Sequence, residues 1–277
     1  MTDCWSRFDA WMWEDTSEYT REQKATDYYK ARGGDGSTKL LAFFRICCIL
    51  FWVSSEANYW YIRESYWVSP FLFLTNWGWF AFVIYFVLIT YAYFRHEVFG
   101  QAVPQDSSSL LQLWKWCQFF YEIEVVMSLL ITLFFWTLVF PAFGDWTPNY
   151  NTYAKHAIPF GCMIVEFFMN KMAFEWNHWV GVVFLGSNYM VVLITFTLKT
   201  HWLYPFAKLD TVGSWLTLPV LLGFTAVTHF ALYGLSKLKY NTLNSSPITP
   251  IKERATTDGK ELILIILPVD SDTDNLI

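Results

Sequence analysis

Two residues, a hydroxyl and an imidazole, stand near the heads of apolar stretches. Thr75, with Asn76, opens LTNWGWFAFVIYFVLITYAYF (74–94), twenty-one residues without a formal charge. His156 stands near the head of a second apolar stretch, AKHAIPFGCMIVEFFMNKMAF (154–174). A threonine before an apolar helix is by default an N-cap, its oxygen accepting from a first-turn amide. Its hydroxyl becomes a nucleophile only when a base removes the proton, and imidazole suits that task at neutral pH. Thr75 is therefore a cap or a reactive hydroxyl at a membrane surface. By itself, His156 reads as an interfacial polar group.

The elements that must position these residues follow from composition. Of 277 residues, 55% are hydrophobic, 21% aromatic and 16% charged, against roughly 25% charged in soluble domains. The apolar residues come in long runs, and a bilayer core about 30 Å thick accepts helices of roughly 20 such residues. The sequence predicts an all-α membrane protein, a bundle of six transmembrane helices. The expected spans are 39–57, which carries Arg45, then 74–94, 119–143, 154–174, 179–199 and 214–235. No internal repeat or Gly/Ser-rich linker divides the chain. The expected organisation is a tail over 1–38, one membrane domain over 39–236, and a flexible tail over 237–277. The first 38 residues do not resemble a cleavable signal, so the first span is expected to act as a retained anchor.

Lys and Arg set the expected orientation. The loops nearly cancel, whereas the N-terminal tail holds Arg7, Arg21, Lys24, Lys30 and Arg32, and the C-terminal tail holds Lys237, Lys239, Lys252, Arg254 and Lys260. Both termini are expected to be cytosolic, which requires an even number of spans. Spans two and four then begin on the other side, as does HWLYPF (201–206) after span five. Thr75, His156 and that loop are thereby placed at one depth, near the outer or lumenal interface.

At these residues the chain resembles a known family. FLTNWG (73–78), HAIPFGCMIVE (156–166) and WLYPF (202–206) are similar, in order and placement across about 70–235, to motifs of the androgen-induced and androgen-dependent membrane proteins and the related rolling-stone proteins. The resemblance implies a six-span threonine hydrolase that cleaves long-chain fatty acid esters of hydroxy fatty acids, with Thr75 as nucleophile and His156 as base. Asn76, Trp77 and Tyr204 are the substrate-contacting residues it implies. Where the mammalian branch has a second histidine, three residues before His156, this chain has Tyr153. Trp77 and Gly78 lean toward the rolling-stone branch, so the alternative is a non-enzymatic membrane protein in cell adhesion, fusion or signalling.

The chemistry has further requirements. Backbone amides around Asn76 and Trp77, at a helix N-terminus, are the expected donors to an oxyanion, with the Asn76 side chain as another. For orienting the imidazole, Glu166 is badly placed: ten residues on is about 15 Å along a continuous helix. Asp145 and Asp210 remain open. Glu166 is expected to be paired within the bundle, with Arg45, Asn170 and Asn188 as candidates, and a proton or ion route is the alternative. Glu122 and Glu124 are expected to be solvated at the interface.

Gly181, Gly186, Ser187 and Asn188 suggest close helix packing with interhelical hydrogen bonds. Pro159 and Pro219 are expected to kink their spans. His229 is expected to make a satisfied polar contact. The histidines show no metal-helix spacing, and neither metal nor cofactor is expected. Five cysteines without metal-type spacing read as buried thiols.

In the N-terminal tail, Trp5, Phe8, Trp11 and Trp13 suggest a loose tail or a short amphipathic segment on the membrane. In the other tail, DGKELI (258–263) fits an acidic dileucine-type sorting signal. The sequon at Asn244 is expected to be cytosolic and unused. The expected location is the endoplasmic reticulum, or the plasma or endosomal membrane. The expected partners are membrane lipids and a lipid ester, with no nucleic acid.

Overall fold

The computed structural model describes residues 7, 11–13, 28–62, 73–100, 108–143, 147–199 and 209–244. Seven α-helices organise them: α1 (Asp35–Ile62), α2 (Leu74–Tyr93), α3 (Ser108–Phe134), α4 (Tyr150–His156), α5 (Ile158–Met169), α6 (Trp179–Lys199) and α7 (Val212–Asn244). Among the described residues, five segments are long and apolar enough to cross a membrane: Asp35–Asn58, Leu74–Val98, Gln112–Val139, Trp176–Leu198 and Val212–Asn241. Their outward faces carry large apolar side chains such as Leu50, Phe184, Val191 and Val220, all strongly exposed. A membrane protein satisfies such a surface with lipid.

The expected fourth span is the exception. It is two short helices, α4 and α5, broken at Ala157 (φ −136°, ψ −48°). Pro159 is the cause: it has no amide to donate to Lys155, and its ring would clash with that carbonyl in a continuous helix. At the start of α5 the same ring is tolerated, because first-turn amides have no intrahelical partner. From Tyr150 to Met169 the pair still amounts to about 30 Å of helical chain. Two expected domain borders also fall inside helices, since α1 begins at Asp35 and α7 continues to Asn244.

The core lies between α2 and α3. Phe82, Tyr85, Phe86 and Ile89 recur at helical spacing on α2, and all are fully buried with Tyr121 and Val126 of α3. Gly78 brings the helices together, because a Cβ there would lie 2.5 Å from Ile131 Cδ1. Gly181 does the same against Phe119 of α3, and Gly186 against Leu222 of α7. Asn188 departs from expectation: its amide donates to Phe184 O on its own helix (2.7 Å), on an exposed face. The four described cysteines are free thiols.

The bundle end remote from Thr75 is closed by charged groups. Arg45 and Glu166, both fully buried, pair through Nη2 and Oε1 at 2.5 Å. Tyr85 Oη donates to the same carboxylate at 2.7 Å, Asn170 Nδ2 at 3.3 Å. Two of the three expected partners of Glu166 are thus present, and Asn188 is not among them. Lys239 of α7 caps the end of α5, donating to Phe167 O (2.7 Å), Met172 O (2.9 Å) and Asn170 O (3.2 Å), carbonyls that a terminating helix leaves unpaired.

The described residues of the N-terminal stretch pack against this end. Ala31 pairs with Asn170, Arg32 N–H donates to Met169 O, and Arg45 Nη1 donates to Tyr29 O. Burial raises the pKa of the Tyr28 phenol and keeps it protonated. Trp13 meets His178 edge-on at 4.4 Å, and Asn177 Nδ2 donates to Trp11 O. The other tryptophan-region residues, Trp5 and Phe8, lie outside the described residues, as does the DGKELI segment.

Candidate functional site

The local fold brings Thr75 and His156 to one place. Phe73 is the N-cap of α2 (φ −99°, ψ 127°), with no side-chain capping bond, so Thr75 falls inside the first turn and its hydroxyl does not cap the helix. It faces His156 instead, with Oγ1 3.5 Å from Nδ1. This is a long hydrogen bond, as nucleophile–base pairs often are before substrate binds.

His156 is held at the last position of α4. The helix starts at a capping box in which the Asn149 side chain accepts from Thr152 N–H and Thr152 Oγ1 accepts from Asn149 N–H. It ends at the break that Pro159 enforces. Between these limits the position of His156 on α4 is fixed.

The imidazole is held by aromatic rings from the end of α3. Residues Phe135–Val139 form a π turn, closed by Phe140 N–H donating to Phe135 O at 2.7 Å. The extra residue in this turn shifts the following side chains around the helix. Phe135 stacks on His156, centroids 3.5 Å apart and planes 9° apart. Trp136 Nε1 donates to His156 O at 3.2 Å and stacks on Tyr153. Tyr153 therefore flanks the site as a ring support. Sequence reasoning missed Phe135 and Trp136, since an aromatic pair in an apolar run carries no signal of a π turn.

A cavity of about 300 Å³ joins these groups, at the lower end of the roughly 300–1,000 Å³ seen for ligand cavities. Thr75, Asn76, Lys155, His156 and Thr225 make its polar part; Met127, Ile131, Phe134, Tyr189, Leu193 and Leu222 are among its apolar walls. Along α3 the lining runs from Met127 to Val139, about 18 Å at helical rise. Phe135 divides that length into about two turns toward Met127 and one toward Val139. Gly186 on α6 and Thr225 on α7 also line it.

The other expected residues are distributed as follows. Asn76 is buried in the lining, and its Oδ1 accepts from Lys155 Nζ at 3.4 Å. Lys155 also pairs with Glu56 of α1 at 3.0 Å. Trp77 is absent from the lining and packs edge-on to Tyr189, behind the wall. Tyr204, the WLYPF segment and Asp145 lie outside the described residues. Among the described residues no carboxylate pairs with His156, so neither Asp210 nor Glu166 orients it.

The amides of Asn76 and Trp77, expected as oxyanion donors, both donate to Phe73 O (3.0 and 3.4 Å). That expectation is corrected: the first turn is tight enough to use them itself. Lys155, at the edge of an apolar stretch, stands in the cavity wall, a place that nothing in the sequence around it marks.

Glu122 and Glu124 are also corrected, since both are about 1% exposed. α3 begins at Ser108, well before the expected span, which carries these residues into the bundle. Glu122 accepts from Glu175 N–H at 3.1 Å and pairs with His178 Nδ1 at 2.9 Å. His229 Nε2 donates to Glu175 O at 3.1 Å, the satisfied contact expected of it. Among the described residues no group of His, Cys, Asp and Glu is arranged to hold a metal ion. No family model, curated protein or solved structure matches the chain.

Proposed function

We propose that the protein is a membrane lipid hydrolase of the threonine–histidine type, cleaving long-chain esters such as fatty acid esters of hydroxy fatty acids. The observation that carries this reading is the approach of Thr75 Oγ1 to His156 Nδ1, 3.5 Å apart in the wall of one largely apolar cavity. A capping threonine would have no need of such a partner. The resemblance of the FLTNWG and HAIPFG motifs to threonine hydrolases of lipid esters supports the same reading.

The reaction follows from the groups present. With the imidazole neutral and its proton on Nε2, Thr75 O–H donates to Nδ1. Oγ1 attacks the ester carbonyl carbon while Nδ1 takes the hydroxyl proton. His156 returns that proton to the departing alcohol oxygen, leaving an acyl-threonine ester. Water, deprotonated by the same imidazole, releases the fatty acid and restores Thr75. The acyl chain lies toward Met127, the longer arm of the cavity, and the alcohol leaves toward Val139. The site faces the outer or lumenal side, so the ester bond sits near the headgroups while its tails stay in hydrocarbon.

The test is hydrolysis of a long-chain ester by the purified protein. Thr75→Ala and His156→Ala each lower turnover by at least about 10²-fold, the lower range for a positioned acid–base group. Unchanged turnover in both folded variants removes the reading and leaves a non-enzymatic role.

A further inference from the structure

We infer that Lys155 is a third catalytic residue of this site, its ammonium carrying the charge of the tetrahedral oxyanion. The inference rests on the ester-hydrolase reading above and adds a charged group for the oxyanion. Attack on an ester carbonyl moves a pair of electrons onto the carbonyl oxygen, and a preorganised positive group stabilises it most where water is excluded. The amides of Asn76 and Trp77 already donate to Phe73 O. Lys155 lines the same cavity as Thr75 and His156.

The placement of Lys155 fits that task. It precedes His156 in the last turn of α4, so the two residues leave the helix about 100° apart. The imidazole reaches Thr75, and the ammonium reaches the neighbouring Asn76, 3.4 Å from its Oδ1. Glu56 holds the ammonium from α1 at 3.0 Å, and the lysine side chain is only 10% exposed. Contacts from two helices hold the flexible four-carbon stem beside Asn76, the residue next to Thr75. Glu56 orients the charge without removing it.

The step balances without moving a lysine proton. The Oγ1–C bond forms, the carbonyl π pair moves onto oxygen, and that oxygen accepts a hydrogen bond from Nζ. The pair then returns as the C–O bond to the alcohol breaks, and His156 protonates the leaving oxygen.

The competing explanation is an ion pair that only joins α1 to α4, or a charge that binds anionic substrates. The full chain is purified in detergent and assayed with p-nitrophenyl decanoate, which is uncharged, and with a hydroxy-acid ester bearing a free carboxylate. Lys155→Met is expected to lower kcat on both esters by about 10²–10³-fold and leave KM on the uncharged ester within about twofold. Lys155→Arg, which keeps the charge, is expected to recover at least about tenfold of that loss.

Unchanged kcat in Lys155→Met, or an effect confined to KM for the anionic ester, overturns the assignment. If Lys155→Met does not fold, Glu56→Gln decides: loosening the ammonium lowers kcat about tenfold, and unchanged kcat overturns the assignment. Thr75→Ala runs alongside. Its retained turnover overturns the hydrolase reading itself, whereas its loss with full kcat in Lys155→Met overturns only the role of Lys155.

Discussion

Phe135 lies flat against His156, their ring centroids 3.5 Å apart and their planes within 9°. The contact fixes the imidazole plane where, among the described residues, no carboxylate does so. Phe135→Ala frees that ring, and turnover of a long-chain ester is expected to fall by about 10–10²-fold, since small misplacement of a reacting group has costs of that order. Phe135→Tyr keeps the stack and is expected to stay near wild type. The check is kcat of both variants, with thermal unfolding measured to show that the bundle is intact.

The cavity gives a prediction about chain length. Thr225 of α7 is a buried residue of its lining. Thr225→Phe places a ring in that lining and takes up part of the cavity. The ratio of activity on a long-chain ester to that on a butyrate ester is expected to fall about tenfold or more, the scale on which apolar pockets discriminate by size. The measurement is kcat/KM across a series of acyl lengths, with butyrate turnover expected to be retained.

Arg45 and Glu166 give a prediction about stability. Removing one member of a buried pair leaves the other charge uncompensated, at a cost of about 3–5 kcal/mol. Glu166→Leu and Arg45→Met are each expected to lower unfolding stability in detergent by that order. The double variant is expected to lose much less than the sum, because no buried charge is left alone. A double-mutant cycle on unfolding midpoints reads the coupling directly.

The far end gives another. Trp13 packs edge-on to His178 at 4.4 Å, and Asn177 donates to Trp11 O at 2.6 Å. Trp13→Ala is expected to release this contact, speed proteolytic cleavage within the N-terminal stretch, and leave ester turnover unchanged. The readout is a limited-proteolysis time course beside the activity assay.

Much of this arrangement follows from counting apolar runs. Span boundaries put the heads of the second and fourth stretches at one level, and Thr75 and His156 do line one cavity. Arg45 and Asn170 were legible as partners of Glu166 because an acidic group in hydrocarbon requires them. Other features depend on register that composition does not encode. The break at Ala157 follows from Pro159 lying just inside a new helix rather than kinking an old one. The placement of Phe135 and Trp136 depends on one extra residue in a π turn. The burial of Glu122 depends on α3 starting at Ser108, outside its apolar run. The place of Lys155 was not legible because its partners, Glu56 and Asn76, come from two distant helices.

The central claim is that Thr75 Oγ1 is a nucleophile. The most direct measurement is labelling of the purified protein with a fluorophosphonate bearing a long alkyl chain, followed by mass mapping of the modified peptide. The account predicts one adduct, on Thr75, absent from Thr75→Ala and strongly reduced in His156→Ala. Equal labelling of wild type and Thr75→Ala, or an adduct only at another residue, would contradict it.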